Sequence, residues 1–221
     1  MTATEKKTPE EILAMMKEDD SVFIVGCGDC ATLCQTGGEV EVEEMTKFLQ
    51  ENGKTVTGSV IPDSGCQVLD VGRLLRQNKE AVQAADALIV LSCGAGVQSA
   101  VENVKDKPVY PGLNSLFIAD TTRLGNLHEW CSTCGECVIA DYGGICPVTR
   151  CPKGQLNGPC GGTDQGKCEV DPEQDCVWTL IYQRFDKVPG KEKVEATFVG
   201  AKNFQKSKRP GKRIFEPRRG K

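Results

Sequence analysis

Cys131, Cys134 and Cys137 stand in the run "CSTCGECVIADYGGIC", which closes on Cys146 and is followed by Pro147. A C-x2-C-x2-C triplet lets consecutive thiolates take three corners of one iron–sulfur cubane, as in bacterial ferredoxins. The gap of eight residues before Cys146 is longer than in those runs. Cys151, Cys160, Cys168 and Cys176 follow at near-regular intervals, among glycines, prolines and acids with few apolar neighbours. These eight cysteines match the number that two [4Fe–4S] clusters require. Zinc is the competing reading, because paired C-x2-C segments also begin zinc ribbons. The overlapping triplet suits a cubane better than two arms of a tetrahedron, and the later four leave zinc a stronger option.

Five further cysteines lie upstream. Cys27, Cys30 and Cys34 sit in "GCGDCATLC", Cys66 in "PDSGC" and Cys93 in "LSCGAG". Each group follows an apolar run that reads as a buried strand. In a parallel open sheet the loops after the strands gather at one edge, where such folds bind ligands. Gly26, Gly28 and Gly94 are placed to let the backbone approach a bound inorganic group and offer N–H donors to it. Four positions on a cubane leave one of the five cysteines spare, with Cys27 and Cys34 the doubtful pair. "GCGDCA" also satisfies the loose G-x-G-x-x-G/A dinucleotide pattern. Its variable positions are cysteines, and the acid expected at the end of the next strand is represented only by Asp63.

The cysteine count itself bounds the chemistry. Thirteen thiols cannot all pair, and only one histidine, His128, is present. The polar start "MTATEKKTPEEI" lacks the apolar core of a secretory signal, and no long uncharged apolar stretch exists. A cytoplasmic, reducing setting is therefore expected, with the thiols ligating metal instead of forming disulfides. Thiolate-dominated sites select zinc or iron–sulfur clusters.

The elements that must position these residues alternate. "TPEEILAMMKE" begins a helix, with Thr8 as cap, Pro9 in the first turn and Glu11 completing a capping box. "SVFIVG", "TVTGSVIP", "ALIVLS" and "SLFIAD" read as strands. "EVEEMTKFLQENGK" and "QVLDVGRLLRQNKEAVQAA" read as helices between them. The pattern predicts an α/β fold: a Rossmann-like parallel-sheet domain over residues 1–125, with the strand-end cysteines at one edge. A small, irregular cysteine-rich iron–sulfur domain follows over 126–190, its one regular piece a helix in "DCVWTLIYQRF". Residues 191–221 form a basic tail. Positions 201–221 hold nine Lys/Arg and one Glu, whereas the rest of the chain carries a net −12. Phe204, Ile214 and Phe215 in that tail suggest docking on a partner protein.

The stretch "CPKGQLNGPCGGTDQGKCEVDPEQDCVWTLIYQRF" resembles the C-terminal cysteine-rich domain associated with methylenetetrahydrofolate reductases. "VGCGDCATLCQTGGE" is similar to the same proteins where they occur as a separate small subunit, the MetV type of acetogenic bacteria. The resemblance spans most of residues 20–185 and leaves the basic tail outside. It implies an iron–sulfur electron-transfer subunit with two or three [4Fe–4S] clusters, zinc remaining an option at one site. The implied partner is a flavoprotein catalytic subunit, which alone holds FMN and reduces methylene- to methyl-tetrahydrofolate in the Wood–Ljungdahl pathway. Ferredoxin or another redox subunit would supply the electrons, with no nucleic acid and no membrane span involved. Trp130 and Trp178 are expected to shield the clusters, and His128 to be structural. Two alternatives stay open: a zinc-stabilised structural subunit, or an independent nucleotide- or corrinoid-binding enzyme.

Overall fold

The fold was obtained as a computed structural model that describes residues 1–16, 21–196, 198–207 and 209–214. Phe215, and the side chain of Phe204, lie outside what is described.

The polar N-terminus forms a strand, β1 (Thr2–Lys6), before α1 (Pro9–Met15). The capping box expected at α1 is present. Thr8 Oγ1 accepts the Glu11 N–H at 3.2 Å, and Glu11 accepts the Thr8 N–H at 2.8 Å. The chain continues through β2 (Ser21–Val25), the short α2 (Cys30–Leu33), α3 (Glu39–Glu51) and β3 (Thr55–Val60). Next come α4 (Val68–Gln77), α5 (Lys79–Ala84), β4 (Ala87–Val90), α6 (Gly94–Asn103) and β5 (Val109–Pro111). A long β6 (Leu113–Arg123) and β7 (Asn126–Glu129) complete the strands.

Four strands form a parallel sheet in the order β3-β2-β4-β5. Its central strands are apolar and buried over Val22–Val25 and Ala87–Val90 because both faces are covered. Phe23, Val25, Leu88 and Val90 face one core with Val71 and Leu75 of α4 and Val97 and Ala100 of α6. Val22, Ile24, Ala87 and Ile89 face the other with Ile12 of α1 and Val42 and Leu49 of α3. The α/β class read from the alternation is thus the fold observed. The connection leaves β2 towards β3 and then returns to β4 on the opposite side. The order thus reverses between β2 and β4, and the C-terminal ends at such a switch are where open parallel sheets bind ligands.

Two elements differ from the expectation. "SLFIAD" belongs to β6, which pairs antiparallel with β1 in a second sheet, β1-β6-β7. The fourth parallel place goes to the short β5, which ends at Pro111 and is separated from β6 by Gly112 alone. The single helix expected over 67–85 breaks at Asn78, whose side-chain amide donates to Leu74 O at 3.0 Å and caps α4.

The chain divides into two compact units, Met1–His128 and Glu129–Lys221. The second contains a 3-10 turn at Ile139–Tyr142, α7 (Pro147–Arg150), α8 (Val177–Phe185) and α9 (Lys191–Ala196). Its core is small: Tyr142, Val177, Trp178, Ile181 and Phe185, with Cys151 and Cys176 packed on its edge. Among the described residues no helix is long and apolar enough to cross a membrane.

Candidate metal centres

All thirteen thiols are free. In the first unit three of them follow the ends of adjacent parallel strands. Cys27 follows β2, Cys66 lies in the loop after β3, and Cys93 precedes the first residue of α6 after β4. Backbone contacts draw these loops together. Gly26 N–H donates to Val60 O at 2.8 Å, Gly28 N–H to Pro62 O at 2.9 Å, and Gly65 N–H to the Cys27 sulfur at 3.4 Å. Cys27 is buried against Ala31 and Leu113, whereas Cys66 is exposed beside Ser64.

Cys30 and Cys34 turn elsewhere. Placed at the first residue of α2 and at its C-cap, they reach the backbone of β1. Thr2 N–H donates to Cys30 Sγ at 3.4 Å, and Cys34 Sγ donates to Thr2 O at 3.7 Å. Both polar groups of an edge-strand residue are thereby satisfied by thiols, a role that needs no metal.

The glycines are crowded by the chain itself. A Cβ on Gly26 would lie 2.8 Å from Gly37 O, and one on Gly28 3.2 Å from Pro62 O. At Gly94 the space is open, with Ser115 Oγ the nearest atom at 3.8 Å, although that hydroxyl accepts the Gly94 N–H at 2.8 Å.

In the second unit Thr149 joins the triplet loop to Cys146. Its Oγ1 accepts the Ser132 N–H at 3.0 Å, donates to Ser132 Oγ at 3.1 Å and lies 3.7 Å from Cys146 Sγ. Thr133, at φ 52°, and Gly135, at φ 79°, wind the backbone around the triplet, and Thr133 N–H points at Cys131 Sγ at 3.4 Å. The other four thiols hang on the α8 core and a tight turn beside it. Gln155 N–H donates to Cys151 Sγ at 3.4 Å. Tyr142 and Trp178 fix that loop by donating to Leu156 O at 3.0 Å and Gln155 O at 3.1 Å. Lys167 bridges Asp164 and Asp175 along the backbone, and Cys176 N–H donates to Gly166 O at 2.8 Å, presenting Cys168 and Cys176 on one turn. Cys160 lies 3.4 Å from the Glu169 carboxylate, which Lys153 ion-pairs.

The thiols differ in acidity. Burial pushes Cys30 up, and the nearby charges of Asp29 and Cys27 add to that. Burial also works to raise Cys134 and Cys176, but hydrogen bonds outweigh it. The Glu136 backbone and Lys202 act on Cys134, and the Thr179 backbone and hydroxyl on Cys176, holding both below the ordinary thiol range. In the metal-free chain, pulse alkylation between about pH 6 and pH 10 is therefore expected to label Cys134 and Cys176 at lower pH than Cys30. Peptide mass spectrometry reads the three curves; a single shared midpoint would contradict this ordering.

Trp130 is 38% exposed and lies under the Arg150 guanidinium at 5.1 Å, whereas Trp178 is 1% exposed in the core. His128 is exposed on β7. The donor chemistry fits soft-metal or iron–sulfide binding: free thiols, several receiving backbone N–H bonds, and loops wound by left-handed residues. Among the described residues, no three Cys, His, Asp or Glu side chains are gathered closely enough to hold a metal ion. Thr2, Ser92, Ser115 and Thr149, which knit these loops, were not legible as site residues. Ser92 packs where a Cβ on Gly65 or Gly96 would fall, 2.7 and 2.2 Å from its hydroxyl.

The two units thus define a parallel α/β domain with thiols at its strand ends and a thiol-rich domain built on a minimal aromatic core. Residues 110–205 match the family described as methylene-tetrahydrofolate reductase C terminal, which relates this part of the chain to those reductases. No curated protein and no solved structure matches the chain.

Proposed function

We propose that the chain is an iron–sulfur electron-transfer subunit, MetV type, of a methylenetetrahydrofolate reductase, working in a reducing cytoplasm. One observation carries this reading: the family match encloses all eight cysteines of the second unit. Cys131, Cys134, Cys137 and Cys146, linked through Thr149, would hold one [4Fe–4S] cluster. Cys151, Cys160, Cys168 and Cys176 would hold a second. A third would draw on Cys27, Cys66 and Cys93 with Cys30 or Cys34, where Gly26 and Gly28 bind the loops together and Gly94 leaves room.

Such clusters, when bound, accept and release single electrons, which suits delivery to an FMN that passes a hydride equivalent to the folate. The chain's own residues would hold thiolates in place, aim N–H groups at their sulfurs and pack Cys151 and Cys176 against the core of Trp178 and Tyr142. The FMN and the folate belong to the catalytic flavoprotein partner, with ferredoxin or another redox subunit as donor. That step is part of the Wood–Ljungdahl pathway.

Mixing the anaerobically reduced chain with a methylenetetrahydrofolate reductase flavoprotein subunit tests this. Bleaching of the flavin band in a stable complex is the expected result. No complex, with the flavin still oxidised, would overturn the reading. A second reading applies to one site: Cys168 and Cys176 sit on one tight turn leading into α8, and such a pair of thiolates would supply two ligands of a zinc site. Retention of one zinc per chain, lost on Cys168→Ser, would assign zinc there.

A further inference from the structure

Residues 198–207 run back over the loop that carries Cys131, Cys134 and Cys137, and separate contacts hold them there. Val199 N–H donates to Asn157 Oδ1 at 2.7 Å, and Asn157 Nδ2 returns a bond to Val199 O at 2.9 Å. Lys202 Nζ donates to Glu136 O at 2.6 Å, and Lys206 ion-pairs the Glu136 carboxylate. Gly135 passes so closely beneath that a Cβ there would meet Lys206 O at 2.3 Å. Between the two segments lies a cleft of about 570 Å³, lined by Ser132, Cys134, Leu156, Lys202 and Ser207 among others. A reciprocal amide pair at one end and a charged clasp at the other define a position that a solvated tail would not keep.

From this geometry we infer that residues 198–207 are a basic strap forming one wall of the Cys131–Cys137 site. Asn157 and Glu136 are its fastenings, and Lys202 is a positioning residue for Cys134, whose sulfur lies 3.4 Å from the same Glu136 carbonyl that Lys202 binds. The strap itself rests on geometry alone; its effect on a bound redox group rests on the functional reading above. Glu136 lies between Cys134 and Cys137, so fastening the strap also fixes the loop that spaces their sulfurs. An ammonium beside a thiolate-held group favours the state carrying the extra electron, because the added negative charge is partly compensated. Lys202 therefore raises the midpoint potential of whatever reducible group this loop holds. The basic residues that looked like a docking tail in the sequence have, at Lys202 and Lys206, an intramolecular use.

Hydrogen exchange on the full chain, metal-free and anaerobically reconstituted, tests the strap. In an Asn157→Ala, Glu136→Ala double variant, amides of 199–207 are expected to exchange at least tenfold faster while those of α8 keep their rates. Unchanged exchange at 199–207 would overturn the strap. A redox titration followed by electron paramagnetic resonance tests Lys202. Lys202→Met is expected to move the midpoint to more negative potential and Lys202→Arg to restore it. A midpoint that stays put in Lys202→Met, or that Arg fails to restore, would overturn the positioning role. A chain that holds no reducible group would refute the functional reading instead, and the exchange result would still decide the strap.

Discussion

Trp178→Ala is expected to destabilise the thiol-rich unit by about 3–5 kcal/mol, the range for removing a fully buried large aromatic side chain. Trp178 is 1% exposed and meets Tyr142 edge-on with ring centroids 5.8 Å apart. The unit has few other large buried side chains to compensate: Tyr142, Ile181 and Phe185 are its remaining bulk. The substitution also deprives Gln155 O of its donor, loosening the loop in which Gln155 N–H meets the Cys151 sulfur. Thermal unfolding followed by Trp130 emission reads the change, because Trp130 is then the chain's remaining tryptophan. A midpoint within a degree of the parent's would mean that this core does not hold the unit together.

The second large effect is expected at Gly37. A Cβ there would lie 2.0 Å from Leu91 O and 2.9 Å from Leu91 C, a clash with backbone that no rotamer change relieves. Gly37 O also accepts the Cys27 N–H at 2.8 Å, so the displacement reaches the strand-end thiol directly. Gly37→Ala should cost about 1–3 kcal/mol or more through overpacking. It should also accelerate exchange of the β2 and β4 amides and raise the alkylation rate of the buried Cys27. Parent-like exchange in β2 and β4 would contradict the packing described here.

Much of this fold is legible in the sequence. Positions 22–25 and 87–91 are apolar without interruption, as a doubly covered strand requires, and they form the body of β2 and β4. The Thr8–Glu11 capping box is a local device and appeared as spelled. What stayed hidden was non-local. Nothing in "TATEK" announces that it pairs with residues 113–118, since edge-strand pairing depends on a partner more than a hundred positions away. The bonds of Cys30 and Cys34 to Thr2 follow from that same pairing. The basic tail was legible as charge, but its return to Glu136 depends on where the loop of 131–137 is placed.

What the thiols hold decides the function, and one measurement addresses that directly. The chain should be purified anaerobically and its iron, acid-labile sulfide and zinc counted per polypeptide. Two or three cubanes predict roughly eight to twelve irons with matching sulfide. A colourless protein with about one zinc per four thiolates and no labile sulfide would contradict the electron-transfer reading.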